Sequence, residues 1–132
     1  MSAGGPTLTA PAAGTRWRRW MPAALWATLL VVVTSWPNPD PPQVRFGDKA
    51  THLLLYGVLT FLIGRAVPVL TRRAIPFALA VIATSAFACV DEWHQRFIPG
   101  RSQSAADWRA DTAGAILGLL LAAGLRRRST RT

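Results

Sequence analysis

Apolar positions along this chain fall into four long stretches, about 21–35, 50–70, 75–90 and 112–125, joined by short polar connections. In the first, third and fourth, the charge-free part is ~14–16 residues, against the ~20 that cross a hydrocarbon core. Polar residues at one end of the third and fourth stretches make up the deficit, and such helices still span where their polar turns face protein or water. A soluble bundle would need a polar stripe on each helix, which Leu29–Val33 and Gly118–Ala123 do not provide. The pattern therefore predicts an all-α integral membrane bundle of four transmembrane helices.

The connections refine this layout. Residues 1–15 are mostly Gly, Ala, Pro, Ser and Thr without periodicity, so 1–16 reads as a disordered tail. The membrane domain then covers 17–125 and a basic tail 126–132. Arg16, Arg18 and Arg19 ahead of the first stretch have the layout of a signal sequence. No small-x-small cleavage site follows, and Trp17, Trp20 and Trp36 bracket the stretch like an aromatic belt, so an uncleaved anchor helix is expected. The proline-rich run Pro37–Pro42 reads as a stiff extended loop. A second helix should begin at Asp48 and run to Arg65 and Leu70. Pro76 fits the first turn of the third helix, which ends near Gln95. Pro99-Gly100 reads as a turn. Ser104, with Asp107 three residues later, reads as the N-cap and acidic first turn of the fourth helix.

Charge gives the bundle two different ends. All six acids (Asp40, Asp48, Asp91, Glu92, Asp107 and Asp111) lie on one side of the apolar stretches, with Arg45, Lys49, Arg96, Arg101 and Arg109. The other side carries Arg16, Arg18, Arg19, Arg65, Arg72, Arg73, Arg126, Arg127, Arg128 and Arg131 and no acid. The positive-inside rule places both termini in the cytoplasm and the acidic side outside, in a multi-pass protein of the cell membrane. The formal net charge of +9 flanks apolar helices and forms no single basic stripe, which argues against nucleic acid as a partner. Arginine in place of all lysines but Lys49 suggests a GC-rich bacterial genome. The one cysteine, Cys89, excludes an internal disulfide.

The acidic side also carries the candidate chemistry. At ~1.5 Å per residue, Asp48 stands ~26 Å above Arg65 and His52 ~20 Å. Asp91 stands ~26 Å above Ala74, and Asp111 and Asp107 ~21 and ~27 Å above Leu125. Three helices thus raise polar groups to one level. Asp48, His52 and Tyr56 share a helical face, as do Asp91 and Gln95, and as do Asp107, Asp111, Gly114 and Gly118. Gly114 and Gly118 make a small-xxx-small contact surface, so the carboxylates beside them should point into the bundle. Each polar residue alone is explained by interhelical bonding. The set is larger than packing needs and points to ligand binding or proton transfer.

Asp48-Lys49-x-x-His52-x-x-x-Tyr56 resembles the first motif of the VanZ-like membrane proteins. Asp91-Glu92-x-x-Gln95-x-x-x-Pro99-Gly100-Arg101-x-x-Ser104-x-x-Asp107-Trp108-x-x-Asp111-x-x-Gly114-x-x-x-Gly118 resembles their second. The resemblance covers about 46–125, and the family often carries asparagine where this chain has Asp111. It implies a small multi-helix membrane protein of the cell envelope, related to an accessory protein of resistance to the glycopeptide teicoplanin. It implies no defined reaction.

Two functions stand side by side. In one, the outward pocket acts on an envelope lipid or a cell-wall-related amphiphile. His52 would then be a general base oriented by Asp48, with Asp91 or Glu92 and Asp107 as acid and base or as holders of a divalent metal, a reading that local spacing supports only weakly. Tyr56, Glu92, Gln95, Arg101 and Asp111 would hold the ligand, Arg101 through phosphate or carboxylate. In the other, the same pocket binds an amphiphile without chemistry and so alters envelope permeability or susceptibility to lipophilic glycopeptides. A transporter ranks lower, because the inner halves of the helices lack polar residues. Membrane lipids are the expected surroundings. The sequence assigns no cofactor, no oligomeric state and, lacking His-x₃-His or a cysteine pair, no metal. His94, Trp93 and Trp108 read as interfacial residues, and Lys49 as one that extends outward.

Overall fold

The computed structural model describes residues 13–37 and 45–129. Within them the chain forms four helices and no strand: α1 (Ala13–Thr34), α2 (Arg45–Ala66), α3 (Ala74–Gln95) and α4 (Ala105–Ser129). Residues 1–12, most of the proline-rich loop with Asp40, and 130–132 lie outside the described residues.

Helix limits differ from the sequence expectation where proline or arginine decides them. α2 stops at Ala66, not Leu70. Val67 is extended (φ −120°, ψ 90°), the conformation that a following proline imposes, and Pro68–Thr71 continue as a short 3-10 turn. α1 starts at Ala13 and runs through Pro22, so residues 13–16 are helical. α4 continues through Arg126, Arg127 and Arg128 in its last turn, where cations complement the helix dipole. Pro99-Gly100 forms the expected turn. Arg101 N–H bonds Ile98 O at 3.0 Å and Gly100 has φ 76°, the positive value that a type II turn requires at its third residue.

The centre of the bundle is the α2–α4 pair, the most extensive helix contact. Its bonds keep a nearly constant register. Lys49 meets Asp107, His52 meets Asp111 and Gly64 meets Arg126, at separations of 58, 59 and 62 residues. The two helices therefore run parallel, side by side. Glycine makes this possible. A Cβ at Gly114 would collide with the carbonyl oxygen of Leu53, and one at Gly118 with that of Gly57. α3 docks on α4 through Ser85 Oγ and Thr112 Oγ1 (2.8 Å) and through Trp108 Nε1, which donates to Ser85 O (3.0 Å). Trp108 is thus a tie between helices, where the sequence suggested an interfacial belt. α1 docks on α2, with Trp26 Nε1 donating to Leu55 O (2.9 Å).

Burial is inverted relative to a water-soluble bundle. Leu25, Leu29, Val32, Leu79, Ile82 and Leu121 are exposed, whereas Asp91, Glu92, Gln95, Asp107 and Asp111 are buried. Such a surface suits hydrocarbon better than water. Among the described residues α3 and α4 are long and apolar enough to cross a membrane.

Candidate functional site

Because α2 and α4 run parallel, their N-terminal ends lie together, each with an acid in its first turn, Asp48 and Asp107. Free N–H groups at both ends favour carboxylates there. The C-terminal ends of α1 and α3 arrive at the same end of the bundle, since Thr34 bonds Asp91. The opposite end collects Arg19, Arg65, Arg72 and Arg126 around one depression.

The acidic end holds two adjacent centres. The first is built on Asp91. Its Oδ1 accepts from Thr34 Oγ1 (2.8 Å), and its Oδ2 accepts from Tyr56 Oη (3.1 Å) and Gln95 Nε2 (3.2 Å). One carboxylate thereby ties α1, α2 and α3. Thr34 is the partner that sequence reasoning did not identify. As the last helical residue before Ser35-Trp36-Pro37, it carries a signal only once α1 is known to end there.

The second centre joins α2, α3 and α4. His52 Nδ1 lies 3.0 Å from Asp111 Oδ1 and 3.9 Å from Glu92 Oε1. All three residues are buried. Glu92 Oε2 accepts the backbone N–H of Ser104 at 2.8 Å. Glu92 Oε1 and Asp111 Oδ2, however, accept no hydrogen bond although both are enclosed. One ligand atom from each of His52, Glu92 and Asp111 lies within 4.8 Å of the others, and the same holds for Asp48, His52 and Asp107. His52 belongs to both triplets. Asp48 is exposed. Asp107 accepts from Lys49 Nζ at 3.0 Å, so the Lys49 ammonium turns back to this cluster.

The sequence expectation for the partner of His52 changes here, because Asp111, and not Asp48, makes the short contact. With the ring proton on Nδ1, Asp111 accepts it and Nε2 keeps a lone pair able to take a proton. Arg101 joins neither centre. Its Nε and Nη2 donate to Trp36 O (3.3 Å) and Val33 O (3.2 Å), and so it caps the C-terminal end of α1. Arg126 does the same for α2 at the other end, donating to Gly64 O and Arg65 O. Ser104 caps α4, accepting from the Asp107 N–H (3.3 Å).

Local spacing in the sequence suggested no metal set. The fold assembles one imidazole and two carboxylates from three different helices, which no local motif records. Below these centres α1 and α3 diverge. They leave an apolar groove of about 600 Å³ lined by Trp20, Ala23, Leu59, Ile63, Leu79 and Phe87, among others. Its upper wall, Phe87, stacks at a tilt on Tyr56 with centroids 6.1 Å apart. The groove therefore ends one ring below Asp91.

A family model described as VanZ/LLP1 matches residues 13–126. No curated protein and no solved structure gives a match.

Proposed function

Because the chain belongs to the VanZ/LLP1 family, we propose that it is a four-span protein of the cell membrane that receives the headgroup of an envelope amphiphile at its acidic end. Both termini lie in the cytoplasm, as the partition of arginine favours. The observation that carries this reading is the enclosed trio of His52, Glu92 and Asp111, with two carboxylate oxygens that the protein itself leaves without donors. Buried polar groups without partners are costly, more so at low dielectric. They persist where a ligand completes them. The apolar groove beneath supports a ligand with a hydrocarbon part, and its volume falls within the ~300–1,000 Å³ of ligand pockets.

His52 is the residue on which chemistry would turn. Oriented by Asp111, it is placed to draw a proton from a headgroup hydroxyl or water that enters past Lys49 and Asp107. Binding without chemistry is favoured by a different observation, the three donors that already satisfy Asp91. That carboxylate ties α1, α2 and α3 together.

Near-isosteric substitutions separate a working site from a scaffold. His52→Gln removes the titrating ring, and Asp107→Asn removes a charge while keeping shape. Both variants are expected to accumulate in the membrane with wild-type thermal stability in detergent, yet fail to complement the envelope phenotype of a deletion strain. Loss of folded protein in step with loss of complementation, in both variants, would refute the functional site.

A further inference from the structure

We infer that His52, Glu92 and Asp111 form a binding site for one divalent transition-metal ion of the zinc or manganese kind. The inference rests on the reading of this cluster as the working site of the chain. With a cation on Nδ1 the ring proton sits on Nε2, and His52 serves as a ligand in place of a base.

The geometry suits a cation. Metal bonds of ~2.0–2.2 Å to nitrogen and oxygen place tetrahedral ligands ~3.4 Å apart. The contacts of His52 Nδ1 with Asp111 Oδ1 and Glu92 Oε1, 3.0 and 3.9 Å, bracket that spacing. The cation takes the position of the proton otherwise shared between His52 and Asp111, and Nδ1 then presents its lone pair. The two carboxylate oxygens without hydrogen bonds, Glu92 Oε1 and Asp111 Oδ2, belong to side chains that are 3% and 1% exposed. They are acceptors only when ionised, and a cation bound between them would satisfy both at once.

The surroundings fit as well. Metal-bound carboxylates are usually held by a further donor, and Glu92 Oε2 is held by the Ser104 N–H. Charge points the same way. Four carboxyl groups, those of Asp48, Glu92, Asp107 and Asp111, gather around His52, and the ammonium seen against them is that of Lys49, on Asp107. The ligand set decides the class of ion. An imidazole beside two carboxylates favours zinc, manganese or iron over magnesium and calcium, and the absence of sulfur disfavours copper(I). Three protein ligands would leave a fourth position open, as in catalytic sites.

The test uses the full chain in detergent, with the affinity tag removed and in a Cys89→Ser background, since Cys89 is an exposed thiol. Chelator-treated protein is titrated with Zn²⁺ and, separately, with Mn²⁺. Bound metal is measured after gel filtration, and thermal stability is followed with and without the ion. The expected result is one equivalent of Zn²⁺ or Mn²⁺ retained, with a rise in Tm that a chelator reverses. Glu92→Gln and Asp111→Asn, each checked for helicity and monodispersity, should lose more than about tenfold in affinity and show no metal-dependent rise. Retention of neither ion by folded wild type overturns the proposal. So does retention undiminished in both variants, or stabilisation by Mg²⁺ or Ca²⁺ alone that His52→Gln leaves intact. No amphiphile is present, so failure of the cation site and failure of headgroup binding are read separately.

Discussion

Gly114 and Gly118 set the distance between α2 and α4, and alanine at either should force the helices apart. Four glycines form a graded series within one bundle. A methyl group added at Gly124 would meet nothing within 4 Å, so alanine there adds only helix propensity. That gain is up to about 1 kcal/mol. At Gly64 the added carbon would meet the Leu119 Cδ1 at 2.8 Å and the Ala122 Cβ at 3.0 Å. The first can rotate aside and the second cannot, so Gly64→Ala should lose about 1 kcal/mol net, at the lower edge of overpacking costs. At Gly114 and Gly118 the obstacle is the backbone carbonyl of Leu53 and of Gly57. A carbonyl inside a helix cannot rotate aside. The pair must separate, and contacts all along its register weaken together. Each substitution should cost about 2–3 kcal/mol.

Reversible unfolding in mixed micelles measures the series, with Gly124→Ala as the internal reference. The order should be Gly124→Ala most stable, then Gly64→Ala, then Gly114→Ala and Gly118→Ala. Separation of the helices also draws His52 away from Asp111, so the two severe variants should lose complementation while Gly124→Ala retains it. Stabilities of Gly114→Ala and Gly118→Ala equal to that of Gly124→Ala would refute the close parallel contact, and with it the geometry of the site.

Two further outcomes follow from the same architecture. In a double-mutant cycle of Thr34→Val and Asp91→Asn, the coupling should be about 0.6–1.7 kcal/mol, the range of interhelical bonds in membranes; additive losses would show that the carboxylate does not hold α1. In a Cys89→Ser background, an impermeant thiol reagent applied to intact cells should label Gln103→Cys and spare Ser129→Cys, and the reverse pattern would invert the proposed topology.

Much of the vertical order was legible in the sequence, for a simple reason. A helix rises by a fixed amount per residue, so counting from the arginines put His52 and Asp111 at one depth. In the folded chain they are in contact at 3.0 Å. The glycine stripe likewise told which way α4 faces. The identity of each partner was not legible, because it depends on how the helices are rotated and which neighbours touch. Asp48, four residues away on the same face of α2, was the expected partner of His52, until the parallel register of α2 and α4 brought Asp111 alongside. Arg101 looked like an anion ligand because it lies among acidic residues in the chain. The end of α1 competes for it with carbonyls that no helix partner satisfies. Among the described residues α3 and α4 pass the length and hydropathy test for a membrane span and α1 and α2 do not.

The carboxylates of the acidic end are sorted by a capping exchange that no single helix reveals. In an ordinary capping box the acid at the third position of a helix reaches back to the N-cap N–H. Here Asp107 occupies that position, yet the Ser104 N–H goes to Glu92 of α3. Asp107 is thereby released to pair with Lys49 of α2. Glu92, fixed through one oxygen, turns the other toward His52. The cap of α4 therefore does two things at once. It closes the α3–α4 connection, and it turns a carboxylate toward His52 while freeing another to pair with Lys49. Asp91 stands outside this exchange, held by three donors of its own. The division follows from partners and not from depth. Asp91 ties three helices together, whereas Glu92 and Asp111 each keep an enclosed oxygen without a donor.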